Sequence, residues 1–487
     1  MHRWLVALAL VALVAWSFHE RWDVLASSPF PLGVDGFFYP IEVRSFLEHG
    51  SLAYPASPLA IWWMAPFAAA TDPITGAKLA AALGGALVAL PAYGLGVRLG
   101  RSRGAGLVCA TVATLSAGSA YLSIEFVKQG IGITVALAAL LAILRAAETP
   151  SRGRLATAAA AIVATVLAHK LAAALVIAVA AVIAVREARA RLRGRRLLYA
   201  IAGGVALALV LLVIGIVSPQ RFASPGDLGK LAHALSTTAR WDDAALARGK
   251  YVLAFDYEAW FAAVAALGAI AVLWRQRPER SPTRTAAIAM IALALVLAIP
   301  WLAVSDPQGL GFRLRIAAFV PLAACGAVIV RAMHARGQIY ACLAICGFVV
   351  GVPRNRASGI VEAHPALVAS ALALADHVPA GATLIIPERH IEFMVAWYTR
   401  APVSARPEAV PYSRRVRVLL PLSRMNEGYP LADALDAARA DPSLEPPLGL
   451  HPRTRDGFVV VTEATWDFVL AHLPPTAQRH FAAWPTI

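Results

Sequence analysis

The feature that most constrains this chain is a succession of apolar runs, most of them near the length that crosses a lipid bilayer as a helix. They fall at 4–18, 57–70, 76–97, 104–123, 129–147, 155–168, 171–185, 197–217, 258–274, 284–304, 312–331 and 338–352. A hydrocarbon core about 30 Å thick takes roughly 20 apolar residues as helix, because lipid offers no partner to backbone N–H and C=O groups. Ala, Leu and Val dominate the runs, and none shows the short alternating pattern of a membrane β-strand, so helices are expected. Only 15% of the 487 residues are charged, against about a quarter in an ordinary soluble domain.

The formal net charge of +15 would suggest nucleic acid in a soluble protein. Here the arginines collect in short connections between apolar runs, which is the positive-inside pattern, and no nucleic-acid partner is expected. The clusters are Arg98, Arg101 and Arg103; Arg145, Arg152 and Arg154; Arg186 through Arg196; Arg275 through Arg284; and Arg331 with Arg336. If every run crosses, the cluster at 98–103 falls on the wrong side. If 57–70 does not cross, all clusters fall on one side. That run is short and interrupted by Pro66, so an interfacial or re-entrant helix is expected there, with Trp62 and Trp63 at headgroup depth. About eleven crossings remain. The segment 4–18 is kept as the first of them, since Val24-Leu25-Ala26 is a poor signal-peptide cleavage site.

This assignment used only Lys and Arg, yet it gathers the membrane-proximal acids on the other, outer side: Asp35, Glu42, Glu125, Asp227, Asp242, Asp243, Asp256 and Asp306. The expected architecture is an all-α polytopic membrane domain over 1–353, with outer loops at 19–75 and 218–257. A small C-terminal α/β soluble domain follows over 354–487. In it, 382–387, 416–421 and 457–461 read as strands, 390–399, 431–439 and 463–473 as helices, and 441–455 as loop. The four cysteines lie inside apolar runs without metal-site spacing, and neither a disulfide nor a metal site is expected of them.

Chemistry is expected on the outer side. Asp35 stands in Gly-Val-Asp-Gly directly after the first crossing. It suits a general base or a ligand to a divalent cation, and equally a turn or N-cap aspartate. Glu42 lies seven residues on, in the same sequence as a helix from Tyr39. Glu125 closes an apolar span and has Lys128 as a local partner, so it is either a functional carboxylate or a surface ion pair. His169-Lys170 offers a cation at the outer headgroup level, or a snorkelling lysine. Arg313 and Arg315 run against the charge bias of their side, and the arginine fork suits phosphate oxygens.

The layout resembles the GT-C superfamily of integral-membrane glycosyltransferases, which includes protein O-mannosyltransferases and lipid A aminoarabinose transferases. The residues that carry the resemblance are Val34-Asp35-Gly36-Phe37-Phe38-Tyr39, Leu47-Glu48-His49-Gly50, Ser57-Pro58-Leu59, Glu125, His169, and Arg313 and Arg315 before Val320-Pro321-Leu322. The resemblance implies a sugar donor carried on a polyprenyl phosphate, a site on the extracytoplasmic face of a bacterial inner membrane, and inversion at the anomeric carbon. It makes Asp35 the catalytic base. Arg313, Arg315, Lys170 and His169 become binders of substrate or lipid phosphate, with Glu125, Glu42 and Tyr39 contacting substrate. Many members carry two acids in tandem where this chain has Asp35-Gly36. A divalent cation, Mg or Mn, is therefore left open, and no metal ligands are assigned. The acceptor is open among protein, lipid and polysaccharide. Two rival readings of the same layout are a lipid-linked glycan transporter and a non-catalytic scaffold.

Overall fold

The computed structural model describes residues 2–33, 35–191, 250–276, 281–298, 365–386, 389–404, 407–419, 428–449 and 458–482, most of 209–218 and 310–341, and a few residues of 222–229. They form two compact units: Met1–Ser27 with Gly50–Gly359, and Ser28–His49 with Ile360–Ile487.

The first unit is helical. It contains α1 (Arg3–Leu25), while α2 (Phe38–His49) belongs to the second unit. Then come α3 (Leu59–Ala70), α4 (Pro73–Ala86), α5 (Ala89–Gly100), α6 (Arg103–Leu115), α7 (Ala117–Leu122) and α8 (Val127–Glu148). These are followed by α9 (Arg152–Ala168), α10 (Lys170–Arg191), α11 (Lys250–Arg275), α12 (Pro282–Leu297), α13 (Leu310–Ile316) and α14 (Phe319–Val330). Among the described residues, six stretches are long and apolar enough to cross a membrane: Arg3–Leu25, Pro73–Gly100, Val127–Glu148, Lys170–Arg189, Glu258–Arg275 and Arg313–Val330. Leu59–Ala70, Arg103–Leu115 and Pro282–Leu297 are shorter apolar helices. The chain is a multi-pass membrane protein. The apolar run at 338–352, most of 197–217, and Cys342 and Cys346 lie outside the described residues.

Local chemistry explains one departure from the run-by-run reading, and one agreement with it. The run at 104–123 is two helices, because Ser116 takes an extended conformation (ψ 150°) and its hydroxyl accepts from the Ser119 N–H to start α7. The helix expected at 57–70 runs Leu59–Ala70, 12 residues including Pro66. At 1.5 Å per residue it reaches only about 18 Å, well short of the bilayer core. Trp62 is exposed, whereas the Trp63 indole N–H donates to the Ala80 carbonyl at 2.9 Å, tying α3 to α4. Asp72 starts α4 by accepting from the Ile74 and Thr75 N–H groups, with Pro73 as the first helical residue.

Lipid tails are as apolar as leucine, so close packing of small residues holds such helices together. At Gly96 an added Cβ would collide with Cys109, and at Gly100 with Ala105 and Ala327. These contacts seat α5 against α6 and α14. Leu95, Leu99, Leu137, Leu140, Leu144 and Phe319 fill the core between them. Cys109 and Cys325 are buried free thiols. Arg21 of α1 is fully enclosed. Its guanidinium donates to the Ser17 and Ser119 hydroxyls, the Ser123 hydroxyl (3.0 Å) and the Thr114 carbonyl (2.8 Å). A buried cation is tolerable only with its donors satisfied this way.

The second unit holds α2, α15 (Pro365–Ala375), α16 (Arg389–Thr399), α17 (Gly428–Ala440), α18 (Glu463–His472) and α19 (Pro475–Ala482). Its strands are β1 (Thr383–Ile385), β2 (Val403–Ser404), β3 (Arg415–Leu419), β4 (Leu448–Gly449) and β5 (Val459–Thr462), in the order β2-β1-β3-β5-β4. β1 runs parallel to β2 and β3, while β5 is antiparallel to β3 and β4. Two of these strands, β2 and β4, have two residues each. β4 lies inside the stretch expected as loop, since a two-residue edge pairing leaves no periodic trace in sequence. Leu431, Leu435, Val461, Trp466 and Val469 form the core beside the sheet. Glu463 accepts from Arg417 at two atoms, 2.8 Å each, beside the helix start capped by Thr462.

Candidate functional site

Helix α8 carries polar groups at both ends. Its 22 residues span about 33 Å, close to the thickness of a bilayer core. At the C-terminal end, Glu148 pairs with Arg98 and accepts from the Thr283 hydroxyl at 2.6 Å. Arg154 donates to the Thr149 carbonyl there as well. Three of the arginine-rich connections read from sequence thus meet at one end of the unit.

A different set meets at the other end. Gln129 of α8 is 2% exposed, and its Nε2 donates to the Arg313 carbonyl at 3.0 Å. The Arg313 guanidinium lies over the Phe126 ring, 4.5 Å from its centroid, and Tyr121 packs edge-on to Phe126 at 6.0 Å. Arg315 and Glu125 are both buried. The Glu258 carboxylate accepts from the Ala117 and Gly118 N–H groups at 2.5 and 3.0 Å. At Gly118 an added Cβ would strike the Ile316 carbonyl, so α7 sits directly on the turn that follows Arg315.

His169 stands between α9 and α10, outside the spanning residues, and its Cβ packs on Gly132 of α8. Its Nδ1 is buried and makes no hydrogen bond among the described residues. Burial, then the charges of Lys128, Arg313 and Lys170, push the imidazole down to about 3. His169 is therefore neutral at physiological pH and adds no charge to the cluster. Lys170 donates to Asp227 at 2.7 Å. Burial acts to raise the Asp227 carboxyl, but the bonds from Lys170 and from the Ser224 N–H and hydroxyl hold it below its usual range. Lys170 thus meets a carboxylate that the sequence reading did not pair with it. Of the other acids in that long loop, Asp242 and Asp243 lie outside the described residues.

The depressed histidine has a consequence for stability. An unfolded imidazole protonates near pH 6.5, whereas His169 resists protonation to about 3. The difference is silent above pH 6.5, then destabilises the fold progressively as pH falls towards 3. His169→Gln is expected to flatten that part of the acid-unfolding curve, measured by thermal unfolding of the detergent-solubilised protein between pH 7 and 4. An unchanged curve would refute the burial effect.

Asp35, Tyr39 and Glu42 lie in the second unit. Ser28–His49 groups with the C-terminal residues and not with the membrane helices to which 19–75 was assigned from sequence. The reason is aromatic packing on α16: Phe37 meets Tyr398 edge-on at 5.8 Å, Phe38 meets Phe393 at 5.2 Å, and Arg44 lies 4.2 Å over Trp397. Tyr39 and Glu42 are buried, Glu42 completely. Gly33 enters the turn at φ 91°, open to glycine at little cost. The Asp35 carbonyl accepts from the Phe38 N–H at 3.1 Å, and its carboxylate Oδ1 is buried.

Position 36 has a specific reason to be glycine. A Cβ there would lie 2.6 Å from the Leu32 carbonyl and 3.0 Å from that of Gly33. A second acid in tandem with Asp35 does not fit this backbone. Nor do three or more His, Cys, Asp or Glu side chains gather in a metal-holding group among the described residues. Gly36→Asp is expected to cost about 1–3 kcal/mol by overpacking. Thermal unfolding checks it, and a wild-type midpoint would show that the turn yields freely.

No family model matches the chain, and no curated protein matches it. Among solved structures, ArnT from Cupriavidus metallidurans bound to undecaprenyl phosphate is similar with a TM-score of 0.50 at 15% identity, covering 94% of this chain and 98% of that chain. ArnT from the same organism in the apo state gives a TM-score of 0.42 at 14% identity, covering 96% and 98%. The likeness to the lipid-bound structure runs through nearly the whole of both chains, and the protein described here has the fold of that structure.

Proposed function

We propose that this protein is a glycosyltransferase of the bacterial inner membrane. It moves a sugar from a polyprenyl-phosphate donor to an acceptor on the extracytoplasmic face. The observation that carries the reading is the cationic end of the helical unit: Arg313 on Phe126, with Arg315 buried two residues on. Fold alone does not fix activity, but this fold with these cations suits the donor. A solved relative in fold was crystallised with undecaprenyl phosphate.

The chemistry follows from the groups present. The acceptor O–H or N–H attacks the anomeric carbon as the bond from that carbon to the phosphate oxygen breaks. Asp35 takes the acceptor proton. The polyprenyl phosphate leaves with the electron pair of the broken bond. Arg313 and Arg315 stabilise the charge that develops on it, since fixed cations help most where charge appears in the transition state. Attack opposite the leaving phosphate inverts the anomeric centre. The C-terminal unit lies on the same extracytoplasmic side, and the arginine-rich end of α8 faces the cytoplasm.

Reconstitution tests this directly. Purified protein in liposomes, given a polyprenyl-phosphate sugar and membrane extract as acceptor source, is expected to release polyprenyl phosphate and transfer the sugar. Binding of polyprenyl-phosphate sugar with no transfer to any fraction would refute transfer chemistry and leave the transporter reading.

A further inference from the structure

Two buried polar atoms at the cationic end of α8 are not used by phosphate chemistry. Gln129 donates its Nε2 to the Arg313 carbonyl, which fixes the amide: a flip would set oxygen against oxygen. Its Oε1 is therefore the remaining group, buried and without a hydrogen bond among the described residues. His169 Nδ1 is in the same condition. The two side chains share one face of α8, because His169 packs on Gly132 and Gln129 is three residues before it. Both lie beside Arg313, one by direct hydrogen bond and the other within reach of its charge.

Phosphate offers only acceptors at neutral pH, so it cannot satisfy Gln129 Oε1. A neutral imidazole accepts through its unprotonated nitrogen. Gln129 Oε1 is completed by an O–H or N–H donor placed next to a phosphate, and a hydroxyl, which both donates and accepts, suits His169 Nδ1 in either tautomer. In a glycosyl phosphate those donors are the hydroxyl or amino groups of the sugar.

We propose that Gln129 and His169 form the sugar-reading half of the donor site, hydrogen-bonding hydroxyl or amino groups of the glycosyl residue while Arg313 holds the adjoining phosphate. This rests on the donor assigned above and separates two parts of it. The membrane-anchored phosphate is gripped by cations, and the sugar is recognised by neutral polar groups. Sites built to bond a substrate hydroxyl discriminate strongly, because a ligand lacking it leaves the protein group buried and unpaired.

The test measures binding of full-length protein in nanodiscs to undecaprenyl phosphate, either bare or carrying glucose, mannose or an aminopentose. The wild type is expected to prefer at least one glycosylated lipid over the bare one. His169→Leu and Gln129→Met are each expected to lower affinity for that lipid by roughly tenfold, while bare-lipid affinity changes little. His169→Gln keeps an acceptor and is expected to retain much of the preference. It also serves if the leucine variant does not fold. Equal weakening for bare and glycosylated lipid would overturn the proposal, since it would mean the two residues only position Arg313. So would unchanged affinities in both variants. A wild type that binds bare and glycosylated lipids alike overturns it while leaving the phosphate assignment standing. A wild type that binds none of them overturns both.

Discussion

Replacing Asp35 by Asn is expected to lower sugar transfer by roughly 10²–10⁴-fold, the range for loss of a general base. Asparagine keeps the size and most hydrogen bonds of the side chain but cannot take the acceptor proton. The effect should fall on kcat, with donor binding little changed. Glu48 is exposed at the end of α2, the helix that follows Asp35. Glu48→Gln therefore serves as a control that leaves transfer intact. The measurement is transfer from a polyprenyl-phosphate donor in membranes with matched protein levels. Undiminished activity in Asp35→Asn would remove Asp35 from the base role. Loss of both transfer and donor binding would assign it a binding role instead.

The second large effect is expected at the arginines. Loss of one fixed cation facing a developing phosphate charge costs about 10²–10³ in kcat. Arg313→Gln and Arg315→Gln should each show it. Arg313→Lys should recover only part, because lysine lacks the planar fork and stacks poorly on Phe126. Arg315 is buried, so truncation there also risks the fold. Arg315→Lys retains the charge and separates the two causes. Transfer and donor affinity unaltered by both glutamine variants would remove the arginines from the site.

Much of this layout is legible in the chain itself. Arginine clusters such as Arg98 and Arg145–Arg154 are expected on one side by charge alone, and Glu148 and Thr283 draw three of those connections together. Arg313 stands out because it opposes the charge bias. The helix at 59–70 betrays its shortness through Pro66. The strands β1, β3 and β5 announce themselves as compact apolar runs bounded by turn residues.

Other features leave no such trace. Gln129 is unremarkable in sequence, since its buried amide matters only once the Arg313 carbonyl lies 3.0 Å away. His169 and Lys170 read as adjacent cations, yet one is stripped of charge by burial and the other meets Asp227 fifty-seven residues on. Arg21 follows the apolar run at 4–18, and only the meeting of α1 with α6 and α7 shows how its donors are satisfied.

By itself the sequence determined which segments are long and apolar enough to cross a membrane and which ends of its helices carry positive charge. These follow from length, hydropathy and charge, properties that each segment has before it meets any other. Only the tertiary structure decided that Ser28–His49 packs with the C-terminal unit through Phe37, Phe38 and Arg44. It alone decided that position 36 has no room for a second acid, and that Gln129 Oε1 and His169 Nδ1 are buried without a hydrogen bond among the described residues. Those are contacts between residues far apart in the chain. Burial and the hydrogen-bond partner, which set what each group can do, do not exist until the segments meet.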